Sequence, residues 1–380
     1  MNFSYLPTEL KDAIVSDLDF GTLAALCLYK EELQLLQISS HDGPEIDSSE
    51  GKKTKEERIE LLLARQILQG ALISTLEARP QWCLYVKSLR LTIDTTAGEG
   101  WTSVSKLLPS FANLKEFTVF NVKIGVPDDD TCGRIVASCP RSVTSVDLLD
   151  ASLPTTSVIK LLEKLPRLKS LSLSGSHSPE DGTSPPAALR TPLDNLLYLT
   201  LRRPVLSSSA FAAIANAAPR LTTLEVDFDS VSVLIPSLLS GIRRLVIADG
   251  WNRPGSDPVH RTEQLVSVLK GCTSLESCML AVCSVNEASK TYRQFEEQRV
   301  LHHLPSSLRD LSFHILYLSP SYYLDFLSNH DTTSLQNLTL SRMIDQQASP
   351  PVYDRVTQAK VEEICERRNI PLTWFDSLKE

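Results

Sequence analysis

A six-residue pattern, apolar-x-x-apolar-x-apolar, recurs ten times along the 380 residues and confines the chain to folds built by stacking one unit. Its copies are Val86/Leu89/Leu91, Leu114/Phe117/Val119, Val143/Val146/Leu148, Leu168/Leu171/Leu173, Leu196/Leu199/Leu201, Leu221/Leu224/Val226, Ile242/Leu245/Ile247, Leu275/Cys278/Leu280, Leu308/Leu311/Phe313 and Leu335/Leu338/Leu340. Successive middle positions are 28, 29, 25, 28, 25, 21, 33, 33 and 27 residues apart. The last two apolar positions of each copy are two residues apart, so both side chains face one side of a short strand. Between copies, Ser157–Leu165, Ser209–Ala218 and Glu263–Lys270 carry apolar residues at i, i+3, i+4 spacing, which predicts helices. Pro140-Arg141, Pro166-Arg167 and Pro219-Arg220 precede the next strand, and proline stops a helix there.

One strand-loop-helix-return unit cannot bury its own apolar face, whereas stacked neighbours share a continuous core. The spacing falls in or near the range of leucine-rich repeats. The predicted fold is therefore α/β: a leucine-rich-repeat solenoid over residues 85–380, a horseshoe of parallel strands with helices outside. A small all-α module precedes it. A charged helix over Tyr353–Arg368 and a strand over Ile370–Trp374 are expected to cap the C-terminal end. A doubly wound sheet is disfavoured by the uniform motif and the lack of a glycine-rich phosphate loop.

Residues before the repeats read as helices. Tyr5–Leu18 offers Thr8 as N-cap and places Leu10, Ile14 and Leu18 on one stripe; Leu23–Tyr29 follows, and Glu31–Ile38 predicts a third helix. So small a module needs a partner surface to be stable. Leu6-Pro7-x-Glu9-Leu10, Ile14, Leu18-Asp19 and Leu23-x-x-Leu26 resemble the F-box, and the whole chain resembles fungal F-box proteins with leucine-rich repeats. The resemblance covers about residues 4–38 of a module assigned to 1–38. It implies that Leu6, Pro7, Leu10, Ile14, Leu18, Leu23 and Leu26 bind a Skp-type adaptor, and through it a cullin, or pack the module's own core. After Leu28 the chain departs from the family, with Tyr29-Lys30-Glu31-Glu32. The alternative is a helical cap on the first repeat of a free-standing interaction scaffold. Polar residues 39–55 predict a flexible linker, and residues 56–84 a connecting helix.

Long insertions near Asp94–Gly100, Asn121–Thr131, Ser174–Pro192 and Asp249–Arg261 follow strands, so equivalent units place them on one rim. Ser178-Pro179, Ser184-Pro185 and Thr191-Pro192 in the third are possible phosphate acceptors. Residues between the apolar strand positions are expected on the open face. Phe120, Asp147, Tyr198, Arg202, Glu225, Asp227, Arg244, Met279 and His314, with Trp251 and Arg253 of the fourth loop, are the candidates for binding a protein target, because aromatic and Arg anchors carry much of an interface's energy.

Composition narrows the remaining classes. Against 38 basic residues stand 46 acidic ones, a formal charge of −8, opposite in sign to a nucleic-acid binder's basic footprint. The most apolar stretch, Ile59–Ile73, is interrupted by Arg65 and two glutamines, so no membrane span is expected. With no signal-peptide pattern either, the cytoplasm or nucleus is expected. The eight cysteines lack Cys-x-x-Cys pairs and read as small buried hydrophobes. No phosphate-loop, nucleophile-elbow or zinc-protease motif occurs, and neither His302-His303 nor Cys272/Cys278/Cys283 has a zinc spacing, so no catalytic residue, metal or cofactor is expected.

Overall fold

The computed structural model describes residues 36–37, 76–78, 80–94, 105–122, 137–149, 155–175, 189–202, 206–248, 258–282, 294–315, 320–329, 333–341, 344–345, 352–353 and 355–375. They fall in two compact units, Met1–Leu168 and Lys169–Glu380, divided inside the repeat array.

In the first unit four parallel strands follow sequence order: β1 (Leu36–Gln37), β2 (Ser88–Asp94), β3 (Glu116–Val122) and β4 (Ser145–Leu149). The register sets Leu89, Phe117 and Val146 side by side, none more than 2% exposed. Leu36–Gln37, inside the stretch where the sequence predicts a third helix, pairs with Leu89–Arg90 as a strand. A free strand edge leaves N–H and C=O groups open, and this segment covers part of one. Helix α1 (Thr155–Lys164) buries Val158, Ile159, Leu161 and Leu162, the stripe expected from its spacing.

The second unit begins with β5 (Ser170–Ser174), β6 (Tyr198–Arg202), α2 (Ser208–Ala217), β7 (Thr223–Val226), β8 (Arg244–Ala248) and α3 (Pro258–Gly271). It continues with β9 (Ser277–Val282), β10 (Asp310–Ile315), α4 (Pro320–Asn329), β11 (Asn337–Ser341), β12 (Ile344–Asp345), β13 (Val352–Tyr353), α5 (Arg355–Arg367) and β14 (Leu372–Phe375). Strands β5 to β11 are parallel neighbours in order, β14 completes the sheet beside β11, and β12 and β13 form a separate antiparallel pair. Each unit stacks repeats whose strands run parallel, the architecture of a leucine-rich-repeat solenoid. All ten copies of the pattern lie in or immediately before one of these strands.

Backbone hydrogen bonds lock each repeat of the second unit to the next. The N–H groups of Leu197 and Tyr198 both donate to the Lys169 carbonyl, at 2.9 and 3.1 Å. The same double acceptance recurs at the carbonyls of Leu197, Thr222, Arg243, Glu276 and Arg309. Below the sheet, Leu171, Leu199, Leu224, Leu245, Cys278, Leu311 and Leu338 form one continuous buried row.

The returns are less uniform than the strands. Between β7 and β8 no α-helix forms; 3-10 segments Phe228–Val233 and Pro236–Leu238 bring the chain back. Only the 21-residue spacing is available there, and a 3-10 turn rises about 2.0 Å per residue against 1.5 Å for an α-helix, so it covers the return with fewer residues. Helix α3 packs against both segments. Arg261, expected in a loop, lies in the first turns of α3 and pairs with Asp229 at 2.6 Å, the two side chains only 14% and 8% exposed. Beyond them an aromatic ladder fills the core: Phe228, Phe295, Phe313 and Tyr323 follow at centroid separations of 6.4, 6.2 and 5.7 Å.

Candidate functional site

The alternation that buries one residue turns the next toward the open face of the sheet. In the second unit the register arranges that face in rows. Tyr198, Thr223, Arg244, Ser277, Asp310 and Asn337 form the first; Thr200, Glu225, Val246, Met279, Ser312 and Thr339 the second. In the third, Ala248, Ala281 and His314 are neighbours, and Arg202 lies at the same level on β6.

The rows differ in chemistry. At the centre, Val246, Ala248, Met279 and Ala281 make a low apolar floor, with Val246 and Ala281 buried and Ala248 and Met279 half-buried. On the β6 side Tyr198 stands 49% exposed, and Arg202 Nη2 donates to Glu225 Oε1 at 2.7 Å. On the β10 side lie His314, half-buried, and Asp310, whose Oδ1 accepts from Asn337 Nδ2 at 2.5 Å. The exposed Arg202–Glu225 ion pair contributes only about 0–1 kcal/mol to stability. Its effect is to hold two opposite charges at fixed places beside an apolar floor, the arrangement of polar rim and apolar centre found at protein interfaces.

The structure thus brings together Tyr198, Arg202, Glu225, Arg244, Met279 and His314 on one face. Asp227 is not part of it: the residue is 6% exposed, and its Oδ1 accepts from the Ser230 N–H at 2.8 Å, capping the first 3-10 segment. The strand ends at Val226, so the alternation that predicted an outward Asp227 has already stopped. In the first unit, Asp147 and Thr118 are half-buried register neighbours, and Phe120 pairs with Leu149. Trp251 and Arg253 lie outside the described residues, as do Leu6, Pro7, Leu10, Ile14, Leu18, Leu23 and Leu26. Val246, Ala248 and Ala281 lie outside the sequence-derived candidates, which are aromatic, Arg, Met, His and acidic residues; their signal is the uncharged run Leu245–Ala248 on a strand whose central outward position is valine.

Titratable groups elsewhere serve packing. His302 Nε2 lies 3.0 Å from Asp325 Oδ2, its ring edge-on to Tyr322 and Phe326, while His303 Nε2 meets the Gln298 carbonyl at 3.2 Å. The adjacent histidines engage different partners. Hydrogen bonds from Asn329 and Arg299 hold the Asp325 carboxyl below the usual carboxylate range. Burial pushes the thiols of Cys139 and Cys272 up to about 12 and that of Cys365 to about 11, and raises Cys278, which sits in the core row. Among the described residues no three His, Cys, Asp or Glu side chains converge as a metal site, and no helix is long and apolar enough to cross a membrane.

No family model matches the sequence. No curated protein matches it. Solved structures with a similar fold include the leucine-rich repeat-containing protein LegL7 from Legionella pneumophila, with 16% identity, 80% of this chain and 87% of that one covered, and a TM-score of 0.46. The Rad7 and Elc1 complex in yeast aligns at 13% identity over 70% of this chain and 66% of that one, with a TM-score of 0.37. Both likenesses are distant, and the fold rests instead on the strand register and the buried rows.

Proposed function

We propose that this chain is a non-catalytic protein-recognition subunit of a Skp-cullin-F-box ubiquitin ligase, working in the cytoplasm or nucleus without a cofactor. The recognition half is carried by one observation: the apolar floor of Val246, Ala248, Met279 and Ala281, framed by Tyr198, the Arg202–Glu225 pair and His314. Apolar centre and polar frame suit a protein target, because the floor excludes water while aromatic and charged groups fix register. The adaptor half is supported by the F-box resemblance of residues 4–38. Its contribution to ligation is proximity: holding a target beside a separately bound conjugating enzyme raises the effective concentration of its lysines.

The test is retention of purified Skp-type adaptor by the full-length chain, beside a Leu10→Asp/Ile14→Asp variant whose circular dichroism is unchanged. Retention by the parent and loss in the variant support the ligase reading. No retention, or equal retention by both, removes it and leaves a free-standing interaction scaffold. Val246→Glu on the floor should leave adaptor retention intact, since it lies in a different module.

A further inference from the structure

A second surface, distinct from the open sheet face, lies on the turns that lead into the strands of the second unit. Among the described residues these turns carry Lys169, Arg220, Arg243, Arg309 and Arg368 against Asp194 and Glu276, a net +3 in a chain of formal charge −8. Positive charge is therefore gathered on one rim of an otherwise acidic protein. Between the turns preceding β8 to β11 opens a cavity of about 500 Å³, lined by Arg243, Glu276 and Arg309 and by the hydroxyl-bearing Thr273, Ser274 and Ser334. Glu276 Oε1 sits 3.4 Å from Arg243 Nη1. Among the described residues, the Arg309 guanidinium meets no carboxylate.

The backbone fixes the spacing of the two arginines. Arg243 and Arg309 each immediately precede a strand, β8 and β10, with Glu276 in the corresponding place before β9. Strands lie about 4.8 Å apart, so the two arginine positions are roughly 9–10 Å apart, the distance that a polyproline-II segment, with three residues per turn and about 3.1 Å rise per residue, places between side chains i and i+3 on one face. We propose that this cavity takes an acidic segment of a partner protein in the polyproline-II conformation, with Asp or Glu at i and i+3 on its one face. One carboxylate pairs with each guanidinium, a fork-shaped donor suited to carboxylates. Glu276 selects against a third acid between them, and the hydroxyls of Thr273, Ser274 and Ser334 are donors for the segment's remaining carboxylate or carbonyl oxygens. A single-stranded nucleic acid suits the site less well, because no aromatic ring lines it for base stacking. This inference stands apart from the ligase reading.

Fluorescence anisotropy with the full-length chain tests it. The probe is a short labelled Gly/Ser peptide carrying Asp at i and i+3; the comparisons are the same composition with the two Asp adjacent and a single-stranded oligonucleotide. The spaced peptide should bind about tenfold tighter than the adjacent one, the effect of one charge-assisted hydrogen bond. Arg243→Gln/Arg309→Gln, exposed positions whose variant is first checked for unchanged circular dichroism, should lose that binding by about tenfold or more, and Glu276→Gln should strengthen it. Equal binding by the double variant, no preference for spacing, tighter binding of the oligonucleotide, or no saturable binding of the spaced peptide would each overturn the proposal.

Discussion

Replacing Gly271 by alanine would place a methyl carbon 2.3 Å from the Pro236 carbonyl oxygen and 2.9 Å from both its carbonyl carbon and its Cα. Carbon contacts are optimal near 3.5–4.0 Å, so the two carbon contacts each overlap by roughly 0.6–1.1 Å, and the oxygen lies closer still. All three atoms belong to backbone, and no rotamer change relieves them. Nor can α3 slide away easily, since Arg261 ties its first turns to Asp229 while Leu265, Val268 and Leu269 are fully packed. Overpacking of this kind costs about 1–3 kcal/mol, offset by about 0.5–1 kcal/mol from alanine's better helix propensity. The expected net destabilisation is about 0.5–2 kcal/mol, or roughly 1–8 °C in Tm for a unit of this size. Gly241→Ala is the control: its nearest neighbour, the Leu221 carbonyl oxygen, is at an ordinary 3.8 Å. Urea and thermal unfolding followed by circular dichroism should separate the two variants. If Gly271→Ala unfolds at the same midpoint as the parent, the contact of α3 with the 3-10 segment is not the constraint argued here.

Leu171 is fully buried in the core row, and Leu171→Asp should open the first repeat of the second unit, read as lost amide protection across β5 and β6 in hydrogen exchange. Arg202→Ala and Glu225→Ala should each cost under about 1 kcal/mol, with a coupling of similar size in a double-mutant cycle, because their pair is exposed. Buried thiols predict a pH effect of definite sign. Folding raises the Cys139 and Cys272 thiols from 9.0 to about 12, so the folded state retains protons that the unfolded state loses. The stability from this source is fully present below about pH 9 and declines from there toward pH 12. Urea midpoints across that range should fall, and fall less steeply in Cys272→Ala, while a thiol reagent at pH 8 should leave both cysteines unmodified until denaturant is added.

The strands were legible in the sequence because their signal is local and strict: two apolar residues at a separation of two, at fixed distance behind a third. Leu199 and Leu201 announce a strand whatever lies around them. Helices α1, α2 and α5 were found nearly at their observed limits for the same reason, an i, i+3, i+4 stripe. What escaped depends on fit between repeats. The 3-10 return after β7 follows from how few residues must cover a fixed length, and Asp227 from a strand that stops one residue early. The aromatic ladder joins residues from four separate segments, each unremarkable alone. Of the apolar floor only Met279 was legible, because Val246, Ala248 and Ala281 are too small to read as interface anchors.

The doubly accepting carbonyls at the strand starts belong to Lys169, Leu197, Thr222, Arg243, Glu276 and Arg309, side chains with almost nothing in common. The paired hydrogen bonds that join neighbouring repeats of the second unit are made by main chain. Any unit therefore presents the same pair of donors and the same acceptor as any other, and a duplicated copy meets a ready-made junction on both sides. Such a chain can lengthen or shorten by whole modules during descent, while the residue at each joint stays free to drift toward whatever charge the rim happens to need.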